Sequence, residues 1–274
     1  MTAPWQLAFV GGGTMAEALV KGLIGRGVHA PQKLLVSDPL PSRLAHLRET
    51  YGVATTLDNR ECLRARAVLL AVKPAQLAAV LAQLAPEWPA SLPGLSIVAG
   101  ARLDQLASYF ADGCPPLVRA MPNTCATIGQ GITSLAWNAQ TPPEVQDAAR
   151  AIFASVGETV DLPESYFDAV TGLSGSGPAY VTLIIEALIE AGVQQGLPRR
   201  ISRELVCQTV AGAALLVKDS GMHPAELKDQ VVTPAGTTAA GLQVLEEAAI
   251  RATFCLAVHA ATARSRTLGQ EAVR

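Results

Sequence analysis

Leu7-Ala8-Phe9-Val10-Gly11-Gly12-Gly13-Thr14-Met15-Ala16 reads as a strand that turns sharply into a helix. Gly11 permits the tight turn, Gly13 lets a ligand approach the backbone, and Ala16 lets the helix pack closely on the strand. The first amides of that helix have no acceptor within it and favour an anion. In this strand-to-helix setting the GxGxxA pattern predicts a cradle for the pyrophosphate of a dinucleotide.

Outward from this turn, short apolar or β-branched runs recur at residues 33–37, 68–72, 95–99 and 117–119, with helical stretches between them. Such alternation builds βαβ units and a parallel sheet. After a last strand expected at 158–162 the strand signals stop. Pro178, Pro198 and Pro224 stand where helices begin, and Gly196 and Gly221 where they end. The expectation is an α/β dinucleotide-binding domain over residues 1–162 and an all-α domain over 163–274.

The second strand ends in Ser37-Asp38-Pro39, where an acid commonly accepts from the adenosine ribose 2′-hydroxyl and favours NAD. Ser37, Arg43 and Asn59-Arg60 suit a 2′-phosphate pocket instead, and Asp38 before Pro39 equally suits a turn. The balance falls to NADPH, with NADH as the alternative. Val72-Lys73-Pro74 and Ala99-Gly100 fall at carboxyl ends of strands, where open parallel sheets bind ligands. Lys73 is either an anion contact or a solvated loop lysine. In the helical half, residues 171–180 and 227–238 are dense in Gly, Ser and Thr. Their amides and hydroxyls suit a compact anion such as a carboxylate, or serve as ordinary helix N-caps.

The bulk composition excludes several classes. A net charge of −2 without any block of Lys and Arg argues against nucleic acid. Cys62, Cys114, Cys125, Cys207 and Cys255 are odd in number and lack CxxC spacing, so neither a disulfide framework nor a metal site is expected, and a reducing cytoplasm fits. No basic stretch precedes a long apolar one near residue 1, and the apolar segment 180–189 is interrupted by Glu186, so neither signal peptide nor membrane span is expected. Half of the residues are hydrophobic while only 4% are aromatic, which points to helix surface buried between subunits.

The turn at Gly11 to Ala16, Ala71-Val72-Lys73-Pro74, Met121-Pro122-Asn123-Thr124, residues 173–180 and residues 227–238 resemble the pyrroline-5-carboxylate reductase family, in order and across essentially the whole chain. The resemblance implies a Rossmann-type N-terminal domain and an all-α C-terminal dimerisation domain, assembled as a homodimer or larger homo-oligomer with its site formed across the dimer. It implies reduction of 1-pyrroline-5-carboxylate to L-proline by hydride from NADPH or NADH. Dinucleotide contacts would fall on Gly11, Gly13, Thr14, Met15, Ser37, Asn59, Val72, Lys73, Ala99 and Asn123. Ser176, Gly177, Pro178 and Ala179 would line the site near the nicotinamide. The substrate carboxylate would lie on Thr233 and the amides of Gly236 and Thr237, with Thr238 as the catalytic contact to the ring nitrogen.

Two departures stand out. Where the family usually has Ser-Pro-Gly-Gly-Thr-Thr this chain has Thr233-Pro234-Ala235-Gly236-Thr237-Thr238, and Ala235 resists positive φ more than glycine would. Cys125 replaces a frequent proline and packs as a small hydrophobe.

Imine reduction takes hydride at carbon and a proton at nitrogen, and a protonated imine is already electrophilic, so positioning outweighs a strong acid. The scattered His29, His46, His223 and His259 agree with structural roles, His223 being placed to support the loop to Thr233. A hydroxy-acid dehydrogenase would need a proton-transferring Lys or His, which the Ser176 and Thr238 segments lack. Neither Ser174 nor Ser176 has glycine two residues away on both sides, as a hydrolase elbow requires. A dinucleotide sensor without turnover shares the same turn and is separated by an activity assay.

Overall fold

The structure is a computed structural model that describes residues 3–110 and 113–271. Among these, eight strands form one sheet: β1 (Leu7–Val10), β2 (Leu34–Ser37), β3 (Ala54–Thr56), β4 (Val68–Leu70), β5 (Gly94–Ser96), β6 (Leu117–Met121), β7 (Gly131–Trp137) and β8 (Gly157–Asp161), in the order 3-2-1-4-5-6-7-8. Neighbours are parallel except β7, which runs antiparallel to β6. The strand order reverses between β1 and β4, the place where ligands bind in such sheets.

The helices are α1 (Thr14–Gly25), α2 (Pro41–Tyr51), α3 (Pro74–Leu84), α4 (Leu103–Ala107), α5 (Pro143–Ala154), α6 (Phe167–Val170), α7 (Gly177–Gln194), α8 (Arg199–Ser220), α9 (Pro224–Val231), α10 (Thr237–Glu247) and α11 (Ile250–Glu271). Side chains alternate along β1, so Leu7 and Phe9 enter one core with α1 and α5 while Ala8 and Val10 enter another with Leu77 and Leu81 of α3. Covering both faces explains why β1 is apolar throughout.

β3 and β7 lie outside the expected strands. β3 is a three-residue edge strand of Ala-Thr-Thr, and β7 buries Thr133 and Ser134, so neither carries a clear apolar run. The strands end at Asp161, but packing divides the chain elsewhere: one compact unit is Met1–Ser176 with Ala260–Arg274, the other Gly177–His259. The expected boundary at 162/163 marks the last strand. Phe167, 1% exposed, belongs to the sheet unit's core, and Ser265 of α11 donates to Asp168 at 2.7 Å, which keeps these helical pieces in that unit.

The second unit is helical. Gly192 of α7 lets α8 come close, because a Cβ there would meet the Ser202 hydroxyl at 2.3 Å, and Ser202 donates to the Ile189 carbonyl at 2.8 Å. The described residues of α7 and α10 include none that is buried.

Candidate active site

Gly11 sits at φ +101, and a Cβ there would lie 2.7 Å from the Ala71 carbonyl oxygen, so glycine is required on two grounds. Gly13 is the N-cap of α1, has no side-chain cap, and faces open space where a Cβ would be. Ala16 is 1% exposed against the sheet. The turn therefore presents free amides of the first turn of α1, including those of Thr14 and Met15, to an anion. Such a cradle fits a pyrophosphate.

A cleft of about 420 Å³ opens beside the turn, lined by Gly11, Gly13, Ser37, Asn59, Val72 and Lys73 from the expected set. Lys73 stands exposed at the head of α3, on the wall of the cleft. Asp38, Leu40, Arg43, Leu57, Gln76 and Val80 also line it. Leu40 and Leu57, at the rim of the cleft, are 60% and 64% exposed. Of these only Asp38 and Arg43 were singled out in the sequence; the others carry no local signature.

Asp38 serves the turn. Its Oδ2 accepts from the Gly12 amide and its Oδ1 from the Leu40 amide, each at 2.9 Å. Ser37 is buried and donates to Asn59 Oδ1 at 2.6 Å, while Asn59 Nδ2 donates to Gln83 at 3.0 Å. Arg60 pairs with Glu87 at the surface instead of lining the cleft. Arg43 donates to the Gly12 and Gly13 carbonyls and to Glu17. Burial works against ionising Glu17, but hydrogen bonds from His46, Arg43 and Tyr51, with the charge of Arg43, outweigh it and hold the carboxyl at about 2.

Ala99 follows β5, and Asn123 follows β6; neither lines the cleft. Asn123 is 9% exposed and engaged at both ends of its side-chain amide, donating to the Ser174 carbonyl at 3.2 Å and accepting from Ile132 N at 3.4 Å. Its amide thus steadies a π-helical turn, Thr171–Gly175, which ends as the Ser176 amide donates to the Thr171 carbonyl at 2.9 Å. Such turns concentrate at functional sites. Ser176 closes it further through its hydroxyl, and Gly177 and Pro178 open α7.

In the helical unit, Thr233 to Gly236 form a tight turn closed by Gly236 N donating to Thr233 O at 3.0 Å. Proline in second place and Ala235 at φ +54 in third match a type II turn, whose third position favours glycine. A Cβ on Gly236 would lie 2.2 Å from the Thr233 hydroxyl, so a larger residue there would displace that side chain. Gly236 is also the N-cap of α10. Its own amide is committed to the turn, contrary to the expectation that it meets the substrate, and the amides of Thr237 and Thr238 are the ones left to an anion. His223 caps α9, its Nδ1 accepting from the Ala225 amide at 3.2 Å.

Residues 164–268 match the family description "Pyrroline-5-carboxylate reductase dimerisation", and residues 6–100 match "NADP oxidoreductase coenzyme F420-dependent". Over 267 residues the chain is 46% identical to a pyrroline-5-carboxylate reductase of Synechocystis, covering 97% of this chain and 99% of that one. It is 41% identical to one from Methanosarcina acetivorans, covering 97% and 98%. Among solved structures, a pyrroline-5-carboxylate reductase from Coxiella burnetii superposes with a TM-score of 0.90 at 34% identity, covering 97% and 98% of the two chains. A Plasmodium falciparum pyrroline carboxylate reductase with NADP bound gives 0.88 at 31%, covering 98% and 100%. A prephenate dehydrogenase from A. aeolicus, at 12% identity and a TM-score of 0.52, shares the fold alone.

Proposed function

The chain belongs to the pyrroline-5-carboxylate reductase family, and from that premise we propose that it reduces 1-pyrroline-5-carboxylate to L-proline with NADPH, NADH being the alternative donor. The observation that carries the reading is the uncapped glycine turn at the β1/β4 switch point, beside a cleft that holds Lys73. When bound, the dinucleotide supplies the hydride. Gly11, Gly13, Thr14, Met15, Val72 and Lys73 hold it at its pyrophosphate, with Ser37 and Asn59 forming the wall of the adenosine end. Ala99 acts from the end of β5, and Asn123 acts through the π turn it supports.

On the substrate side, the Thr233 hydroxyl and the amide of Thr237 take the carboxylate. Gly236 shapes the turn that aims them. Ser176, Gly177 and Pro178 line the site at the head of α7. Thr238 is the catalytic contact: its hydroxyl accepts from the iminium N–H and donates to the amine as nitrogen gains its lone pair. The substrate arrives already protonated and electrophilic, so no strong acid is required.

The enzyme works as a homodimer or larger. Residues 164–194 are long and apolar enough to cross a membrane by length and composition, yet they fall wholly within the dimerisation match and carry Glu186 and Glu190. We assign that apolar face to a second subunit. Five free cysteines support a reducing, cytoplasmic setting. The test is an assay of the purified protein with pyrroline-5-carboxylate and each of NADH and NADPH. Cofactor oxidation dependent on the imine is expected; cofactor binding without turnover would make the protein a sensor.

A further inference from the structure

We propose that Arg43 recognises the 2′-phosphate of NADPH, exchanging its Glu17 partner for the phosphate when the dinucleotide binds. The inference rests on the NADPH reading above. The adenosine end of the cleft lacks its expected phosphate ligands: Ser37 and Asn59 are hydrogen-bonded to each other, and Arg60 is turned to Glu87. Asp38 lines the cleft with a charge of the wrong sign. The cations in the lining are Arg43 and Lys73. Lys73 follows β4 beside the glycine turn, whereas Arg43 lies in α2 just after β2, the strand whose end meets the adenosine ribose in this fold.

The local geometry permits the exchange. Arg43 reaches Glu17 through Oε2, while His46 and the Tyr51 hydroxyl hold Oε1, each at 2.9 Å. Arg43 can therefore leave without stranding the carboxylate. Its Nε stays anchored on the Gly12 carbonyl, so the guanidinium turns about a fixed point and offers its Nη groups to a phosphate in the planar geometry for which arginine is suited. Glu17 is then a competitor for Arg43, held in place by two other donors.

Competition gives the two residues opposite effects, which a shared structural role does not. Arg43→Met is expected to lower the ratio of kcat/KM for NADPH over NADH by roughly tenfold or more, the scale of a hydrogen bond to a charged group. Arg43→Lys, which keeps the charge without the fork, lowers it less. Glu17→Gln removes the competing charge, keeps an acceptor for Tyr51, and is expected to raise the ratio severalfold. Calorimetry with 2′,5′-ADP and 5′-AMP on the same variants reads the phosphate contact without turnover: Arg43→Met should weaken the first ligand and spare the second. A wild type that prefers NADPH and an Arg43→Met variant with an unchanged ratio would overturn this proposal and leave the cofactor reading standing. A wild type that prefers NADH would overturn both. Should Arg43→Met fail to fold, Glu17→Gln decides, a lowered or unchanged ratio refuting the exchange.

Discussion

Thr238 occupies the second position of α10, after an N-cap, Gly236, that offers no side chain. It is not a capping residue, which separates its two readings: loss of the hydroxyl should leave stability within about 0.5 kcal/mol, as for most partly exposed positions. Thr238→Ala is expected to lower kcat/KM by about 1.5–3 kcal/mol, or roughly ten- to a hundredfold, with cofactor affinity nearly unchanged and activity restored in Thr238→Ser. Near-normal kcat/KM would remove the residue from the mechanism. Ala235, three residues earlier, is held at φ +54, and Ala249 between α10 and α11 at φ +53. A Cβ in this region is strained, so Ala235→Gly should raise stability by about 1 kcal/mol despite the freer unfolded chain. A shift of the denaturant midpoint in the other direction would show that the turn tolerates alanine without strain. The strain at Ala235 was readable from the sequence once the turn was placed. The commitment of the Gly236 amide was not, because it depends on which carbonyl faces it.

At the scale of elements, the sheet unit is held along one side by Glu17 of α1 meeting Arg43, His46 and Tyr51 of α2. With the carboxyl held at about 2 against an ordinary 4.5, its contribution is present above pH 4.5 and is lost as pH falls toward 2. It amounts to at most about 3 kcal/mol, less for its partial exposure. Glu17→Gln should therefore destabilise the protein at pH 7, and its difference from wild type should narrow below pH 4.5. A difference that is constant across that range would assign the effect to packing. The meeting of Glu17 with these three residues was not visible in sequence, since Glu17 lies 26–34 residues from them and shares no motif with them. β1 was legible because both of its faces are buried, and the glycine turn because Gly11 and Ala16 answer close contacts while Gly13 leaves space open. β3 escaped notice as a short polar edge, β7 because it hides two hydroxyl side chains in the core, and the π turn because Thr171-Gly172-Leu173-Ser174-Gly175 reads as an ordinary helix start.

For the whole molecule, the two hydrophobic clusters lie entirely within residues 7–167, and among the described residues of the helical unit Leu227 is the one buried hydrophobic side chain. Leu183, Leu205, Leu215, Val244 and Leu256 are 54–69% exposed in the single chain. Excess hydrophobic content with few aromatics points to surface buried between subunits, and these exposed apolar side chains lie within the residues that match the dimerisation family. What the sequence could not place was where packing divides the chain, because the last turns of α11 return to the sheet unit through contacts far apart in sequence. We propose that a second copy covers this unit, which has almost no core of its own, so that folding and association are coupled. The melting temperature should accordingly rise with protein concentration, and dilution should lose activity and helix content together. Leu256→Asp, on a side chain 69% exposed in one chain, would cost within about 0.5 kcal/mol on a free surface. At a buried interface it strands a charge, and we expect it to dissociate the assembly and abolish turnover. Sedimentation showing a stable, active monomer at low micromolar concentration, or a Leu256→Asp protein indistinguishable from wild type in mass and kcat, would refute the coupling.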